Sequence, residues 1–255
     1  MTAGPGTYQL TRELIASDTI RKAFFDQMGL RPLSEAELEA SLDTVIPRAS
    51  TGQGIWVFAY GSLIWNPCLR FEESRVAILY GRRRALALRS RFGRGTEANP
   101  GLLFSLIPGG SCGGLALRIA PELCRAELRL LWRREMIAGS YQPRVFRVRT
   151  AQGPVPAIAF DANRSHANYN PSMPLDDEVR MVSAAQGIAG TNVDYVLRTR
   201  DALRAHGMRD RRLEALCDRL PSGAGQTPAQ SSPADMAAAA LAPAESAPAI
   251  DPDAY

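Results

Sequence analysis

The sequence predicts an α+β fold. Three observations carry that reading. Strand candidates crowd residues 55–119. A single helical stretch then interrupts before two more strand candidates. Every periodic segment after residue 175 is helical. Strands gathered first and helices last argue against a regular β-α-β alternation.

Taken in chain order, the N-terminal segment reads as helical from Leu10, with Ile15, Ile20, Phe24 and Phe25 at helical spacing. Ser34 and Glu37 form an S-x-x-E capping box ahead of Leu38, Leu42 and Val45, and Pro47 is expected to end that helix. Gly52 and Gly54 mark a joint. Residues 55–60, Ile-Trp-Val-Phe-Ala-Tyr, are β-branched and aromatic, as a buried strand is. Further strands are expected at 75–80, 83–89, 102–107 and 113–119.

A helix starts at Pro121, a residue tolerated in a first turn, and aligns Leu123, Leu128, Leu131 and Trp132. Strands resume near 144–149 and 155–160. After a polar stretch, a helix begins near Leu175 with Asp176 and Asp177 at its positive end. Thr191–Ala205 reads as another helix, and a short one follows to Leu220. From Pro221 the composition collapses to Ala, Pro, Ser and Gln, the mark of a disordered tail, with at most a transient helix over Met236–Leu241. The expected organisation is a helical extension over 1–53, a strand-rich body over 54–220 and a disordered Ala/Pro-rich tail over 221–255.

Composition narrows the function. No apolar run approaches the roughly 18–20 residues that cross a bilayer. Charges at Arg12, Glu13, Arg21 and Lys22 break any signal-peptide order, so a cytoplasmic protein is expected. Cys68, Cys112, Cys124 and Cys217 contain no C-x-x-C pair and suit neither a zinc site nor a disulfide framework. Reduced thiols in a reducing compartment are the simplest reading. Of 30 long basic residues only Lys22 is a lysine, and acidic residues number 26, so the positive balance is weak grounds for nucleic-acid binding. Arg82–Arg83–Arg84 with Arg89, Arg91 and Arg94 is the best basic patch; its bland alternative is a solvated strand end.

Three places can carry chemistry. In Tyr60-Gly61-Ser62-Leu63-Ile64-Trp65 a buried strand runs into Gly-Ser. Unpaired amides at such a strand end bind a carbonyl oxygen or a carboxylate, or the segment is an ordinary turn. Glu135 follows Leu131 by four residues and Trp132 by three, which puts it on or near a buried stripe. A carboxylate there has a raised pKa suited to general acid/base work, or it is a helix-end ion pair with Arg133 or Arg134. Tyr169 sits in the polar loop Asn168-Tyr169-Asn170-Pro171, where a surface turn is the alternative. The two histidines, His166 and His206, offer no triad signature around Ser62, and no Walker A, H-E-x-x-H or G-x-G-x-x-G motif occurs.

The strings Val57-Phe58-Ala59-Tyr60-Gly61-Ser62-Leu63-Ile64-Trp65-Asn66-Pro67, Gly93-Arg94-Gly95-Thr96, Leu131-Trp132-Arg133-Arg134-Glu135-Met136 and Gly190-Thr191-Asn192 together resemble the ChaC family of glutathione-degrading γ-glutamylcyclotransferases. The resemblance covers roughly residues 55–220. It implies a small mixed β-barrel flanked by helices, and a lyase that converts glutathione to 5-oxoproline and Cys-Gly. The reaction it implies needs no cofactor; from composition and motifs, no metal, nucleic-acid or membrane partner is expected. By position it makes Glu135 the catalytic acid/base and gives Tyr60, Gly61, Ser62 and Leu63 the γ-glutamyl group, with Tyr169 as a further substrate contact. Departures are Ala59 for a frequent glycine, Leu102 for a frequent arginine and Leu117 for a barrel aromatic. A cation lost at 102 opens the alternative of other γ-glutamyl amino acids or amines; a non-catalytic binding protein is a third reading.

Overall fold

The computed structural model describes residues 10–221, apart from positions 18, 30, 51 and 172. The tail expected from 222 onward, including the Met236–Leu241 helix, lies outside the described residues.

The N-terminal segment forms two helices, α1 (Arg12–Ala16) and α2 (Thr19–Met28), rather than one. Thr11 caps α1 by accepting from the Leu14 amide at 3.3 Å. Phe24 is buried, whereas Phe25 is 52% exposed, against the expectation that both face inward. Neighbouring helical residues point about 100° apart, so a short helix packed on one side buries one of the pair. The Ile20 side chain lies outside the described residues.

Helix α3 (Glu35–Ala49) carries the capping box as predicted, with Ser34 N–H donating to Glu37 Oε2 at 2.6 Å and Glu37 N–H to Ser34 Oγ at 3.2 Å. Pro47 does not end it. The helix continues to Ala49, and Ser50 N–H still reaches the Ile46 carbonyl at 3.0 Å. A proline in the last turn removes one donor without blocking the residues just after it.

The body is a closed five-stranded barrel of β1 (Ile55–Ala59), β2 (Glu73–Ser90), β3 (Gly101–Ile119), β4 (Tyr141–Thr150) and β5 (Gly153–Ala162), in the order β1-β3-β2-β4-β5. Parallel pairing of Trp56 with Ala157 and Val57 with Ile158 joins β1 to β5. The four middle strand candidates are therefore two long strands. Register shifts at Tyr80/Arg82 and Leu86/Leu88 let β2 bend around the barrel without ending. Gly54, entering β1 at φ +104°, has no room for a Cβ against the Ile119 carbonyl.

Helix α4 (Cys124–Glu135) follows a 3-10 turn, Pro121–Leu123. It buries Leu128, Leu131 and Trp132, each worth about 1.5–3 kcal/mol on leaving water, and Trp132 meets Phe160 edge-on at 5.3 Å. Helices α5 (Leu175–Ala184), α6 (Asn192–Ala205) and α7 (Arg211–Cys217) close the other side, with a two-strand ribbon, β6 (Gln186–Gly187) and β7 (Gly190–Thr191), before α6. All four cysteines are free. Among the described residues, no helix is long and apolar enough to cross a membrane, and no cluster of potential metal ligands occurs.

Candidate active site

Burial of Trp132 and Leu131 fixes the end of α4, and Met136 N–H caps it on the Trp132 carbonyl at 2.8 Å. Glu135 thereby sits on the wall of a cleft of about 620 Å³, with its side chain 14% exposed. Burial pushes its carboxyl above the ordinary range, and Arg134 opposes that shift. Arg134 Nε meets Glu135 Oε1 at 2.9 Å. The carboxylate is thus both largely buried and paired.

The same guanidinium joins Glu135 to the glycine turn. Arg134 Nη2 donates to Ser62 Oγ at 3.0 Å, and Nη1 donates to the carbonyls of Pro67, at 3.0 Å, and Asn66. Strand β1 stops at Ala59, and Ser62–Ile64 winds into a 3-10 turn closed by Ile64 N–H on the Gly61 carbonyl at 3.0 Å. The amides of Gly61, Ser62 and Leu63 find no acceptor among the described residues. The expected motif residues divide into two roles. Ser62 and Glu135 line the cleft, while Tyr60 and Leu63 are buried behind it. The Tyr60 hydroxyl donates to the Phe160 carbonyl at 2.5 Å, and its own carbonyl accepts from Arg84 Nε at 2.6 Å. Burial, with Glu135 nearby, raises its phenol well above the ordinary range.

Tyr169 stands apart from the cleft lining. It bridges to Leu88 and packs on the small cluster of Ala87, Ile107 and Ala162, while its neighbour Asn168 lines the cleft. Two other tyrosines line the cleft. Tyr141 lines the cleft and donates to the Phe104 carbonyl at 2.9 Å. Tyr195 lines it too, stacks on Phe104 at 5.5 Å and accepts the Phe104 amide at 3.0 Å. That bond engages the Tyr195 oxygen as acceptor, so its proton remains to donate.

Arg94, which the sequence offered as part of a motif and of the basic patch, is a cation of the cleft wall. Its guanidinium lies 5.6 Å from the Tyr195 ring centre and 5.9 Å from that of Trp65. Nη1 holds the Thr191 carbonyl at 3.0 Å and Asp194 at 3.2 Å; among the described residues no hydrogen bond engages Nε or Nη2. The flanking glycines make this placement possible, because a Cβ at Gly95 would strike Gly101 N and one at Gly101 would strike the Arg94 carbonyl. The signal in the sequence was the helical spacing of Asn192 and Tyr195. Both point inward from the start of α6, but nothing local says toward what.

Leu102 cannot touch a ligand. Its side chain is 0% exposed, and Asn192 clasps its backbone, Oδ1 taking the N–H at 2.6 Å and Nδ2 giving to the carbonyl at 2.8 Å. Ala59 and Leu117 are likewise buried in the barrel. Of the six arginines of the basic patch, four are ion-paired: Arg82 with Asp161, Arg84 with Asp210, Arg91 with Glu97 and Arg94 with Asp194. His166 Nδ1 accepts the Asn168 amide at 3.1 Å, while Ser62 Oγ is held by Arg134, so no Ser–His dyad forms.

Comparison with known proteins adds to this geometry. The family described as ChaC-like protein matches residues 55–221. The glutathione-specific γ-glutamylcyclotransferase of Escherichia coli strain K12 is 35% identical over 202 residues, covering 79% of this chain and 87% of that protein. The Homo sapiens glutathione-specific γ-glutamylcyclotransferase 1 is 30% identical over 65% of this chain and 78% of its own. A crystal structure of a yeast γ-glutamyl cyclotransferase specific to glutathione superposes with a TM-score of 0.62 at 21% identity, over 66% of this chain and 96% of that one, which establishes the shared fold.

Proposed function

The chain belongs to the ChaC family, and from that membership we propose that it cleaves glutathione to 5-oxoproline and Cys-Gly, with Glu135 as general acid/base. The observation that carries the assignment of Glu135 is its bridge through Arg134 to Ser62, which ties a carboxyl of raised pKa to the glycine turn in one cleft.

The reaction is an internal displacement. The α-amino nitrogen of the γ-glutamyl unit, once its ammonium has given up a proton, bonds to its own γ-carbon; the amide bond to cysteine breaks, and the two protons shed in all by the attacking nitrogen end on the departing one, which leaves as the Cys-Gly ammonium. Atoms balance without water or a co-reactant. Folding the substrate so that amine and carbonyl meet is worth about 7–11 kcal/mol in well-oriented cases. A cleft with fixed walls supplies that constraint.

The carboxylate of Glu135 takes a proton from the attacking nitrogen and passes it to the departing one. Such a group contributes about 10²–10⁴-fold when its pKa lies near the working pH. Burial moves it up from the carboxylate range and Arg134 keeps it from rising too far. As the ring closes, the γ-oxygen becomes anionic. The amide of Ser62, the one residue of the Gly61–Leu63 turn that lines the cleft, is suited to receive it, and a well-placed donor of this kind is worth about 3–4 kcal/mol. Tyr195 is a second candidate donor. Arg94, with two unengaged nitrogens, is suited to a substrate carboxylate. We also assign the protein to the cytoplasm, in keeping with its four free cysteines.

Product analysis tests the proposal. Incubation with glutathione should release 5-oxoproline and Cys-Gly in equal amounts. Release of glutamate instead would make water the nucleophile and the protein a hydrolase.

A further inference from the structure

We propose that the N-terminal helices build an apolar subsite into the cleft, one that accepts γ-glutamyl substrates with an apolar group on the leaving-group side, above all S-alkyl or S-aryl conjugates of glutathione. The proposal rests on the cyclotransferase reading of Glu135 and extends it.

The family match begins at residue 55, yet Leu10, Leu14, Ile15, Ala23 and Phe24 all line the same cleft as Glu135. These residues are anchored. Arg12 grips Glu127, 3% exposed, with Nη1 to Oε2 at 2.5 Å and Nη2 to Oε1 at 2.8 Å. Asn66, on the loop that Arg134 holds, donates to the Leu10 carbonyl at 3.0 Å. Arg133, next to the catalytic pair, donates to the Ala16 carbonyl at 2.7 Å. The phenyl edge of Phe24 meets Phe92 with ring centres 5.4 Å apart. The helices are therefore tied to the same loop and the same helix end that carry the chemistry.

The cleft has two characters. Its polar lining includes Glu135, Ser62, Arg94, Asp194, Tyr195 and Arg198. The wall from the N-terminal helices presents Leu14, Ile15 and Phe24, joined by Phe92, Ile137 and Ile188 from the body. Arg21 also borders it, but its guanidinium is engaged by Glu35 at 3.2 Å and by the Leu33 carbonyl. Leu14, Phe92, Ile137 and Ile188 are only partly buried, so this wall presents apolar surface to whatever fills the cleft. At about 620 Å³ the cleft falls well inside the range of roughly 300–1,000 Å³ typical of small-molecule sites.

Glutathione is polar at both ends, and its one side chain beyond the scissile bond is the cysteine thiol. A substituent on that sulfur extends from the leaving group without disturbing the γ-glutamyl head. An apolar substituent there would cover apolar wall that the parent tripeptide leaves wet, a gain proportional to the area covered. The cyclisation is unchanged: the same nitrogen–carbon bond forms, the same amide breaks, and the product is the S-substituted Cys-Gly. A γ-glutamyl amino acid with a bulky apolar side chain shares this chemistry and serves as the competing source.

The test uses the full chain and four probes: glutathione, S-hexylglutathione, S-benzylglutathione and γ-glutamyl-phenylalanine. 5-Oxoproline release gives kcat/KM, and calorimetry gives binding independently of turnover. The expected result is a kcat/KM for S-hexylglutathione at least about tenfold above glutathione, expressed mainly in KM. Phe24→Ser should reduce that ratio toward one. Phe25→Ser, on the same helix but outside the cleft, should leave the ratio intact and so separates loss of the subsite from loss of the helix. If Phe24→Ser melts early, the wild-type ratios and binding constants still decide.

Equal or poorer use of the S-conjugates while glutathione is turned over would overturn the subsite and spare the function. Tighter binding of S-hexylglutathione without turnover of any probe would do the reverse. A preference for γ-glutamyl-phenylalanine over every S-conjugate would reject the thioether assignment. Failure of all four to bind or react would remove both.

Discussion

Replacing Glu135 with Gln tests the mechanism with little disturbance to shape. The amide keeps the volume and can still accept from Arg134 Nε, now 2.9 Å from Oε1. Arg134 retains Ser62 Oγ at 3.0 Å and the Pro67 carbonyl at 3.0 Å, so the glycine turn stays tied to α4. What disappears is a proton carrier. Turnover should fall by about 10²–10⁴-fold, or about 3–5 kcal/mol in the barrier, with KM changed little. Stability should shift by no more than about 1–2 kcal/mol, because a charged partner is lost but a buried charge goes with it. The sign of the pH effect can also be stated. Folding raises the pKa of Glu135, so the folded state binds its proton more tightly than the unfolded chain does. Its contribution to stability is then complete below the unfolded value of 4.5 and is lost as pH rises through the folded pKa. The Gln variant should lose that downward step, and the acid limb of kcat/KM in the wild type should lie above 4.5. The assays are 5-oxoproline release, thermal unfolding and a pH series. Wild-type turnover by Glu135→Gln would refute the reasoning.

Arg84→Met should be costly for a different reason. Its side chain is 2% exposed and holds the Tyr60 carbonyl at 2.6 Å, Gly113 at 2.5 Å and Asp210 at 2.7 Å, so removal leaves three acceptors without their donor. A loss of about 3–5 kcal/mol in urea unfolding is expected, and a loss under 1 kcal/mol would show that the turn does not lean on it. Arg94→Gln removes a cation suited to a substrate carboxylate and should raise KM for glutathione roughly tenfold or more, equivalent to about 1.5–3 kcal/mol; an unchanged KM assigns the carboxylate elsewhere. Asn192→Ala breaks both clasps on Leu102 and should cost about 2–4 kcal/mol, read by denaturant titration, since it bares a buried N–H and a buried carbonyl.

Much of the fold was legible because its signals are local. The capping box at Ser34 and Glu37, the apolar stripe of α4 and the β-branched run at 55–60 each report on a few neighbouring residues. The misreadings share one cause. Pro47, the pair Phe24 and Phe25, and the breaks at 81 and 108–112 are local signals that tertiary packing overrode: a last turn tolerates proline, one phenylalanine finds a partner in Phe92, and a closing barrel draws two strand pairs into two long strands. At the site, Glu135 and the glycine turn were readable because an ionisable residue on a buried stripe, and a glycine after a buried strand, both need a reason. Tyr195, Tyr141 and the facing of Arg94 were not, because nothing local says which way each side chain turns.

The sequence by itself determined the element types, the buried face of α4, the turn at Gly61 and the family to which these motifs point. Periodicity and local chemistry suffice for those. Only the tertiary structure decided that Arg134 spans from Glu135 to Ser62, that Leu102 faces the core while Arg94 faces the cleft, and that the N-terminal helices form one of its walls. Those outcomes depend on which distant segments a closed barrel brings within hydrogen-bonding reach, and no pattern along one stretch of chain carries that distance.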